Sequence, residues 1–491
     1  MKSTVFANGC RFIYEPSSNN IPLTSINIFC DVGSVHEPEH LRGVSHIIEH
    51  MCFKGTKKIL TSKGIFIEYD KIGAYLNAHT TKRYTCYVIK CESHFVDKAL
   101  QIVADMLLNS VFDKSEYDKE YSVVIEENTD NENDYEDVII MMSDKSVYSG
   151  SSFEYPVDTL AYHDKKRKCG KMKCLDYDDV IEFYRKYYIP RNIIISVVSS
   201  LPYSSVKRTI EKTFFVKHQK LSIAHHFSQE TAIISKVLPQ EDIKFSLKEK
   251  EGVENILMTI SFRICDNNSP DKYLILFINE LLVSMSTSRF FMILREKYGL
   301  IYSPSSTIDN YDENGDITIL IQTDKDKLIG TSTGNITTTG GAAAGGGSGH
   351  GHGLGHGHIV RKQKKYLIPV IVSLFNDIIK NGITQEELET TKGYIRGNTI
   401  IDMEDIDNQC NYNGYELLLQ RNREHNHNHN HVQEIVPFHR IYDTFYKKIS
   451  RKDVHDAIKK YFKRSNMSVC LLGKKLPSIN LVKKEFDKFV G

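Results

Sequence analysis

Apolar positions along the chain alternate between short runs with a period of two and longer runs with a period between three and four, and this rhythm passes twice through the sequence. Asn8-Gly9 between short apolar segments predicts a hairpin turn within residues 4–14, and residues 21–32 alternate as a strand ending at Gly33. A helix is expected from near Gly43 to just before Gly55. A second should run from about Ser62 to Ile72, stopped by Gly73, and a strand over residues 84–91. Val96, Ala99, Leu100, Val103, Met106 and Leu107 follow helical spacing between Phe95 and Val111. Residues 116–131 read as a helix on which Glu120 and Glu127 return to one face after two turns, with Val123 and Val124 turned to the core. After an acidic stretch at 130–137, residues 177–198 read as a helix, Pro190, and a strand from Ile193 to Val198. The second cycle starts with a strand from Ile256 to Phe262, followed by helices over 271–283 and 288–297 and a strand from Ile317 to Ile321. Helices near 366–380, 385–397 and 451–462 and a strand from Ser468 to Leu472 complete it.

Strands mixed with long helices in two successive halves predict the α+β class: two mixed α/β domains with antiparallel-rich sheets and helices packed on one face. The halves are placed at 1–220 and 251–491, joined through the polar stretch 221–250. At 491 residues the chain is too long for a single core, in keeping with two domains. Two tracts interrupt the second half: 331–358, rich in Gly and then alternating Gly with His, and 425–431, alternating His with Asn. Both lack the apolar residues to pack and read as solvated loops, although alternating histidines bind metal weakly.

An apolar share of 41% and a charged share of 25% are ordinary for a globular protein. The net charge of +1 offers no electrostatic argument for nucleic acid or an anionic membrane as partner. Most of the ten cysteines lie in apolar runs, as core residues of a reducing compartment do, and Cys169 and Cys174 lack the nearby second pair of a zinc ribbon. The sequence has no run of eighteen apolar residues, so no membrane insertion is expected. Met1–Phe6 carries no signal-type apolar region. A cytoplasmic location is the expectation, with a mitochondrion-type organelle or a viral origin left open.

The chemistry concentrates in His46-Ile47-Ile48-Glu49-His50. On a helix His46 and His50 stand one turn apart on the same face, a bidentate platform for zinc, and Glu49 borders that face. The spacing is H-x-x-E-H, the inverse of the commoner zinc helix. In its setting, Gly43-Val44-Ser45-His46 through Lys54-Gly55-Thr56, the stretch resembles the signature of the pitrilysin/insulinase superfamily of zinc peptidases. Within it the likeness is to the branch holding mitochondrial processing peptidase β subunits and short bacterial relatives.

That resemblance implies a third zinc ligand about 76 residues beyond the second histidine, which falls on Glu127, with Glu126 as the competing choice. The family's earlier acid, which orients a ligand, falls on Glu120. Gly73-Ala74-Tyr75-Leu76-Asn77-Ala78-His79-Thr80-Thr81 resembles the family's active-site edge strand, so Asn77 and Ala78 are implied in pairing with an extended substrate. Ser288-Arg289-Phe290 through Tyr302-Ser303 resembles its distal substrate motif, which implies substrate contacts near the zinc for Arg295 and Tyr302. Lys82-Arg83 stand where relatives carry an acid, which would alter the preference for substrate charge. Cys52, two residues past His50, reads as a small buried hydrophobe rather than a soft ligand.

The implied activity is metalloendopeptidase hydrolysis of peptides or unfolded, presequence-like segments, with one Zn²⁺ per chain and Glu49 as general base. The implied architecture is two homologous domains closing as a clamshell. Two repeats are about half of the family's long single-chain members, which implies a homodimer or a heterodimer with a related subunit. The rival readings are a non-catalytic scaffold or regulatory subunit of the same superfamily and, resting on the His tracts alone, a metal buffer.

Overall fold

Every residue of Ile193–Ser199 (Ile-Ile-Ile-Ser-Val-Val-Ser) and of Met467–Gly473 (Met-Ser-Val-Cys-Leu-Leu-Gly) is buried. A strand that is apolar on alternate and intervening positions alike needs cover on both faces, and that requirement organises the molecule. The computed structural model describes residues 1–18, 21–158, 175–214, 237–330, 364–426 and 435–491. The first sheet contains β1 (Lys2–Val5), β2 (Arg11–Pro16), β3 (Leu23–Cys30), β4 (Tyr75–Thr80), β5 (Thr85–Glu92) and β6 (Ile193–Ser199), in the order β1-β2-β6-β3-β5-β4. The second contains β7 (Lys244–Glu249), β8 (Ile256–Ile264), β9 (Pro304–Asn310), β10 (Gly315–Thr323) and β11 (Met467–Gly473), in the order β7-β11-β8-β10-β9.

Each sheet has one parallel pair, β2 with β6 and β7 with β11, and is otherwise antiparallel. Apart from β1 the two sheets thus share one topology. The second sheet takes in Lys244–Glu249, inside the stretch read from sequence as the join.

The helices of the first half are α1 (Val44–Cys52), α2 (Ser62–Asp70), α3 (Val96–Leu108), α4 (Lys114–Asn133), α5 (Tyr135–Val147), α6 (Tyr177–Tyr187) and α7 (Tyr203–Phe214). The second half carries α8 (Lys272–Asn279), α9 (Leu367–Asn381), α10 (Gln385–Asp402), α11 (Ile406–Asn426), α12 (Arg451–Tyr461) and α13 (Ile479–Phe486). Phe291–Lys297 is a π-helical turn between α8 and β9.

Each half packs helices of its own on one sheet face. Ile26, Ile28, Ile193, Ile195 and Val197 meet residues of α1, α3, α6 and α7, and Met258, Ile260, Ile319, Val469 and Leu471 meet α8, α9, α12 and α13. The opposite faces are covered by exchange. α11 of the second half lays Leu417 and Leu418 on Ile13, Phe29, Cys86 and Ile194 of the first sheet, and Ile406 and Cys410 on Val198. α5 of the first half lays Val138 and Ile139 on Leu257, Cys470 and Leu472 of the second.

Buried charges tie the halves further. Arg83 Nη1 is 2.6 Å from Asp31 and Arg83 Nε is 3.0 Å from Asp312, and Arg421 of α11 reaches the other Asp31 oxygen at 2.7 Å. Burial would raise the Asp31 carboxyl, but Arg83 and Arg421 outweigh it and hold it below the ordinary value. Lys82 Nζ donates to Asp144 of α5 at 2.6 Å and to the Phe153 carbonyl at 3.0 Å. The expectation that Lys82 and Arg83 tune substrate charge is corrected in part: both cations are buried and paired with these carboxylates, although Lys82 still lines a cavity.

Val123 is also corrected. It is 40% exposed, whereas Val124, 100° further round the helix, is fully buried. The eight described cysteines are free and buried. Cys169, Cys174 and the tract 331–358 lie outside the described residues, as does most of the tract 425–431. Among the described residues no single helix is long and apolar enough to cross a membrane. The bent pair α9–α10 passes on length and composition, and the apolar residues of α9 form part of the second core.

Candidate functional site

α1 starts at Gly43, whose φ of +84° is a conformation that glycine adopts without strain, and the helix is capped from a distance. The buried Glu37 carboxylate accepts hydrogen bonds from Gly43 N at 2.7 Å and Ser45 N at 2.8 Å, satisfying donors that have no partner within the helix. Val44, Ile47, Ile48 and Met51 lock α1 into the first core. His46 and His50 are left on the outer face, their rings nearly perpendicular with centroids 4.7 Å apart.

α4 packs against α1 and brings its carboxylates to that face. The donor atoms of His46, His50 and Glu127 all lie within 4.8 Å of one another. His50 Nε2 is 3.6 Å from Glu127 Oε2, close to the roughly 3.4 Å between two ligands that each sit about 2.1 Å from a tetrahedral zinc. Glu126, one residue away, is exposed and is not part of this group. On the other side of the His50 ring, Nδ1 is 3.1 Å from Glu120 Oε2, and the second Glu120 oxygen is 2.5 Å from Lys54 Nζ. Burial would raise the Glu120 carboxyl, but the bonds from His50 and Lys54 outweigh it and hold it low. A carboxylate at Nδ1 keeps the proton there and turns the Nε2 lone pair to the metal position. Two imidazoles and one carboxylate, with a fourth position open, are the donor set of a catalytic zinc site, so the residues present fit the ion.

Glu49 is nearly buried beside the histidines and accepts a hydrogen bond from Thr80 Oγ1 at 2.6 Å. Thr80 ends β4, which pairs with β5 only. Its outer edge has no strand partner among the described residues. Asn77 on that strand is exposed, with its side chain bonded to Ala78 N and Tyr75 Oη, both at 2.9 Å. An open edge ending on a buried carboxylate can hold an extended peptide by its main chain and present a bond to the metal position. Cys52 is fully buried, and burial pushes its thiol up to about 12, the state of a core residue.

The structure thus gathers His46, Glu49, His50, Glu120 and Glu127 around one point, with Asn77 and Ala78 on the adjoining edge. Arg295 and Tyr302 lie in the second half, outside that group. Phe291–Lys297 packs on α9, while α1 packs on α4, β4, β5 and α6. The Arg295 guanidinium lies over the Tyr302 ring at 4.9 Å, and Tyr302 is 80% exposed. Among the described residues no hydrogen bond, ion pair or ring contact joins this pair to the His46–Glu127 group.

Sequence reasoning missed three members of the site. Lys54 sits at the end of α1 and is legible only once Glu120 is known to approach it. Thr80 belongs to the edge strand, and its bond to Glu49 joins residues 31 apart, beyond the reach of periodicity. Asp158, whose Oδ1 is 2.7 Å from His46 Nδ1, carries no sequence signal at all.

Residues 13–158 match the family model described as Insulinase (Peptidase family M16), and residues 175–332 match that of the Peptidase M16 inactive domain. An uncharacterized zinc protease of Bacillus subtilis, YmxG, is 27% identical over 421 residues, 85% of this chain and 88% of its own length. The mitochondrial-processing peptidase subunit beta of Caenorhabditis elegans is 26% identical over 43% of this chain and 44% of its own. Subunit 1 of the bovine mitochondrial cytochrome b-c1 complex is 27% identical over 42% and 41%. A protease from Helicobacter pylori has the same fold, with a TM-score of 0.76 at 18% identity over 96% of this chain and 99% of that one. So has the peptidase M16 inactive domain from Pseudomonas fluorescens, with a TM-score of 0.72 at 15% identity over 97% and 98%.

Proposed function

Because the chain belongs to the insulinase family, peptidase family M16, we propose that it is a zinc-dependent endopeptidase acting on peptides and on unfolded or presequence-like segments. One observation carries the reading: His46, His50 and Glu127 converge within 4.8 Å beside a nearly buried Glu49 that is tethered to the end of an open strand edge. Zinc, when bound, supplies Lewis acidity towards a peptide carbonyl and lowers the pKa of water.

The rest is done by the chain. The outer edge of β4 offers main-chain donors and acceptors to an extended backbone, so that binding depends little on substrate sequence. A cavity of about 1130 Å³ adjoins the metal position, lined by residues of α4, α5, β7 and 154–158, and gives room to substrate side chains. Thr80 occupies Oε2 of Glu49. Oε1 is left to take a proton from the attacking water and return it to the leaving amine. Holding Glu49 in this way reduces the reorganisation that proton transfer would otherwise require.

The mitochondrial relatives are, by name, subunits of larger assemblies, and this chain is read as one that also associates. The stacked Arg295–Tyr302 pair has its own half as neighbour and the Tyr302 ring in solvent. We read it as a contact for substrate held by a second, related or identical, chain.

Glu49→Gln tests the reading. The variant should keep stoichiometric zinc and lose cleavage of a mixed peptide library by at least about 100-fold, the low end for loss of a positioned acid–base group. Cleavage surviving the change would remove Glu49 as the base. A wild-type chain that is loaded with zinc yet cleaves nothing would support the scaffold reading instead.

A further inference from the structure

We infer that Asp158 is a positioning residue of the metal centre, doing for His46 what Glu120 does for His50. The inference rests on His46, His50 and Glu127 being the metal ligands. His46 Nδ1 is 2.7 Å from Asp158 Oδ1, and the ring is 15% exposed. The other carboxylate oxygen of Asp158 accepts from Asn131 Nδ2 at 3.2 Å. Asn131 lies on α4 one turn beyond Glu127, so α4 supplies one ligand, Glu127, the partner of a second ligand through Glu120, and the support for the partner of the third. Asp158 itself arrives from a different direction, on the segment that follows the Ser152–Glu154 turn and Pro156, at the wall of the large cavity.

Nδ1 of His46 and Oδ1 of Asp158 are close without being aligned: among the described residues neither atom makes a well-directed hydrogen bond. Two buried polar atoms facing each other at 2.7 Å, with nothing else among the described residues to satisfy them, are a contact waiting for a small rotation. The carboxylate can make that rotation about its bond to Asn131. His46 would offer Nε2 to the ion, and a ring so engaged would be a stronger donor at Nδ1–H, which would favour the aligned form. Asp158 then holds the Nε2 tautomer of His46 and its ring plane. Because it also lines the cavity, it couples the metal to the space in which substrate side chains would lie.

The test is metal binding, read without peptide. Zinc affinity of the full chain is measured by competition with a chelator, and the cobalt-substituted protein is examined by visible absorption, which reports ligand geometry. Asp158→Ala should weaken zinc by about 10- to 100-fold, the usual effect of removing such a partner, and should change the cobalt bands. Asp158→Asn, which keeps the shape and an acceptor oxygen, should recover much of both. Asn131→Ala, which frees Asp158 without removing it, should fall between wild type and Asp158→Ala, and it stands in should Asp158→Ala fail to fold. Zinc affinity within twofold of wild type and unchanged cobalt bands in the folded variants overturn the proposal. A wild-type chain that binds no zinc instead overturns the ligand assignment beneath it.

Discussion

Gly414 offers a direct test of the exchange of helices between the halves. It lies in α11 where that helix crosses β3 and β6, and a Cβ built there would overlap the edge of the Phe29 ring and come within 2.9 Å of Ser196 Cβ. Neither neighbour can yield easily. Phe29 is fully buried, with its ring 5.2 Å from that of Tyr84, and Ser196 is a fully buried residue of β6 whose hydroxyl donates to the Cys410 carbonyl at 2.6 Å. Gly397 in α10 is the control, because a Cβ there meets nothing within 4 Å. Glycine to alanine inside a helix gains about 0.8–1 kcal/mol in backbone propensity at either site. Gly397→Ala should therefore stabilise by about that much. Gly414→Ala gains the same and loses about 1–3 kcal/mol to overpacking, so it should end near neutral to about 2 kcal/mol destabilised. Propensity cancels between the two variants, and their difference isolates the cost of lifting α11 off the first sheet. Urea unfolding followed by far-UV circular dichroism reads both. If Gly414→Ala stabilises as much as Gly397→Ala, α11 is not clamped on the first sheet.

Two further outcomes follow from the site. Burial lifts Glu37 from 4.5 to about 7, although Ser45 N and Gly43 N, which it caps, pull the other way. Between those values the folded chain keeps a proton that the unfolded chain has lost, so this group's contribution is full below 4.5 and is lost as pH rises through 7. Glu37→Gln removes that titration and should lose about 2–3 kcal/mol less stability than wild type between pH 5 and pH 8. Parallel pH profiles of urea midpoints would refute it. At the metal position, Glu127→Gln should lower the zinc content of purified protein while Glu126→Gln leaves it unchanged, and the reverse result would transfer the ligand to Glu126.

What was legible in the sequence was what is local. His46, Glu49 and His50 lie within about one helical turn, so their shared face follows from the spacing alone; Glu120 and Glu127 share a face by the same reasoning, but only the family resemblance assigned them to the histidines. Thr80 and Asp158 reach the same point only because β4 and the segment after α5 arrive there in three dimensions, and neither carries a periodic signal. The exchanged helices escaped for a different reason. α11 buries Gln409 and Asn413, and the first half meets some of its polar groups: Asn413 Nδ2 donates to Glu15 at 2.7 Å and Ser25 Oγ donates to Asp407 at 2.7 Å. A buried face on which amides and Gly414 interrupt the apolar residues carries a weak apolar period, so periodicity passes over it. α5 carries its apolar pair, Val138 and Ile139, directly behind an acidic run that reads as loop.

The signal for both helices lay in the strands they cover. Ile193–Ser199 and Met467–Gly473 are too apolar to leave either face open, and each half spends its own helices on one face. The second face has to be closed by chain from the other half, so neither half completes its own sheet. That interdependence also fixes the candidate active site. α5 cannot stay on the second sheet without anchoring the end of α4, and α4 carries Glu120, Glu127 and Asn131 to the histidines of the first half. The packing of α5 thus ties the second sheet to the helix that carries Glu120 and Glu127.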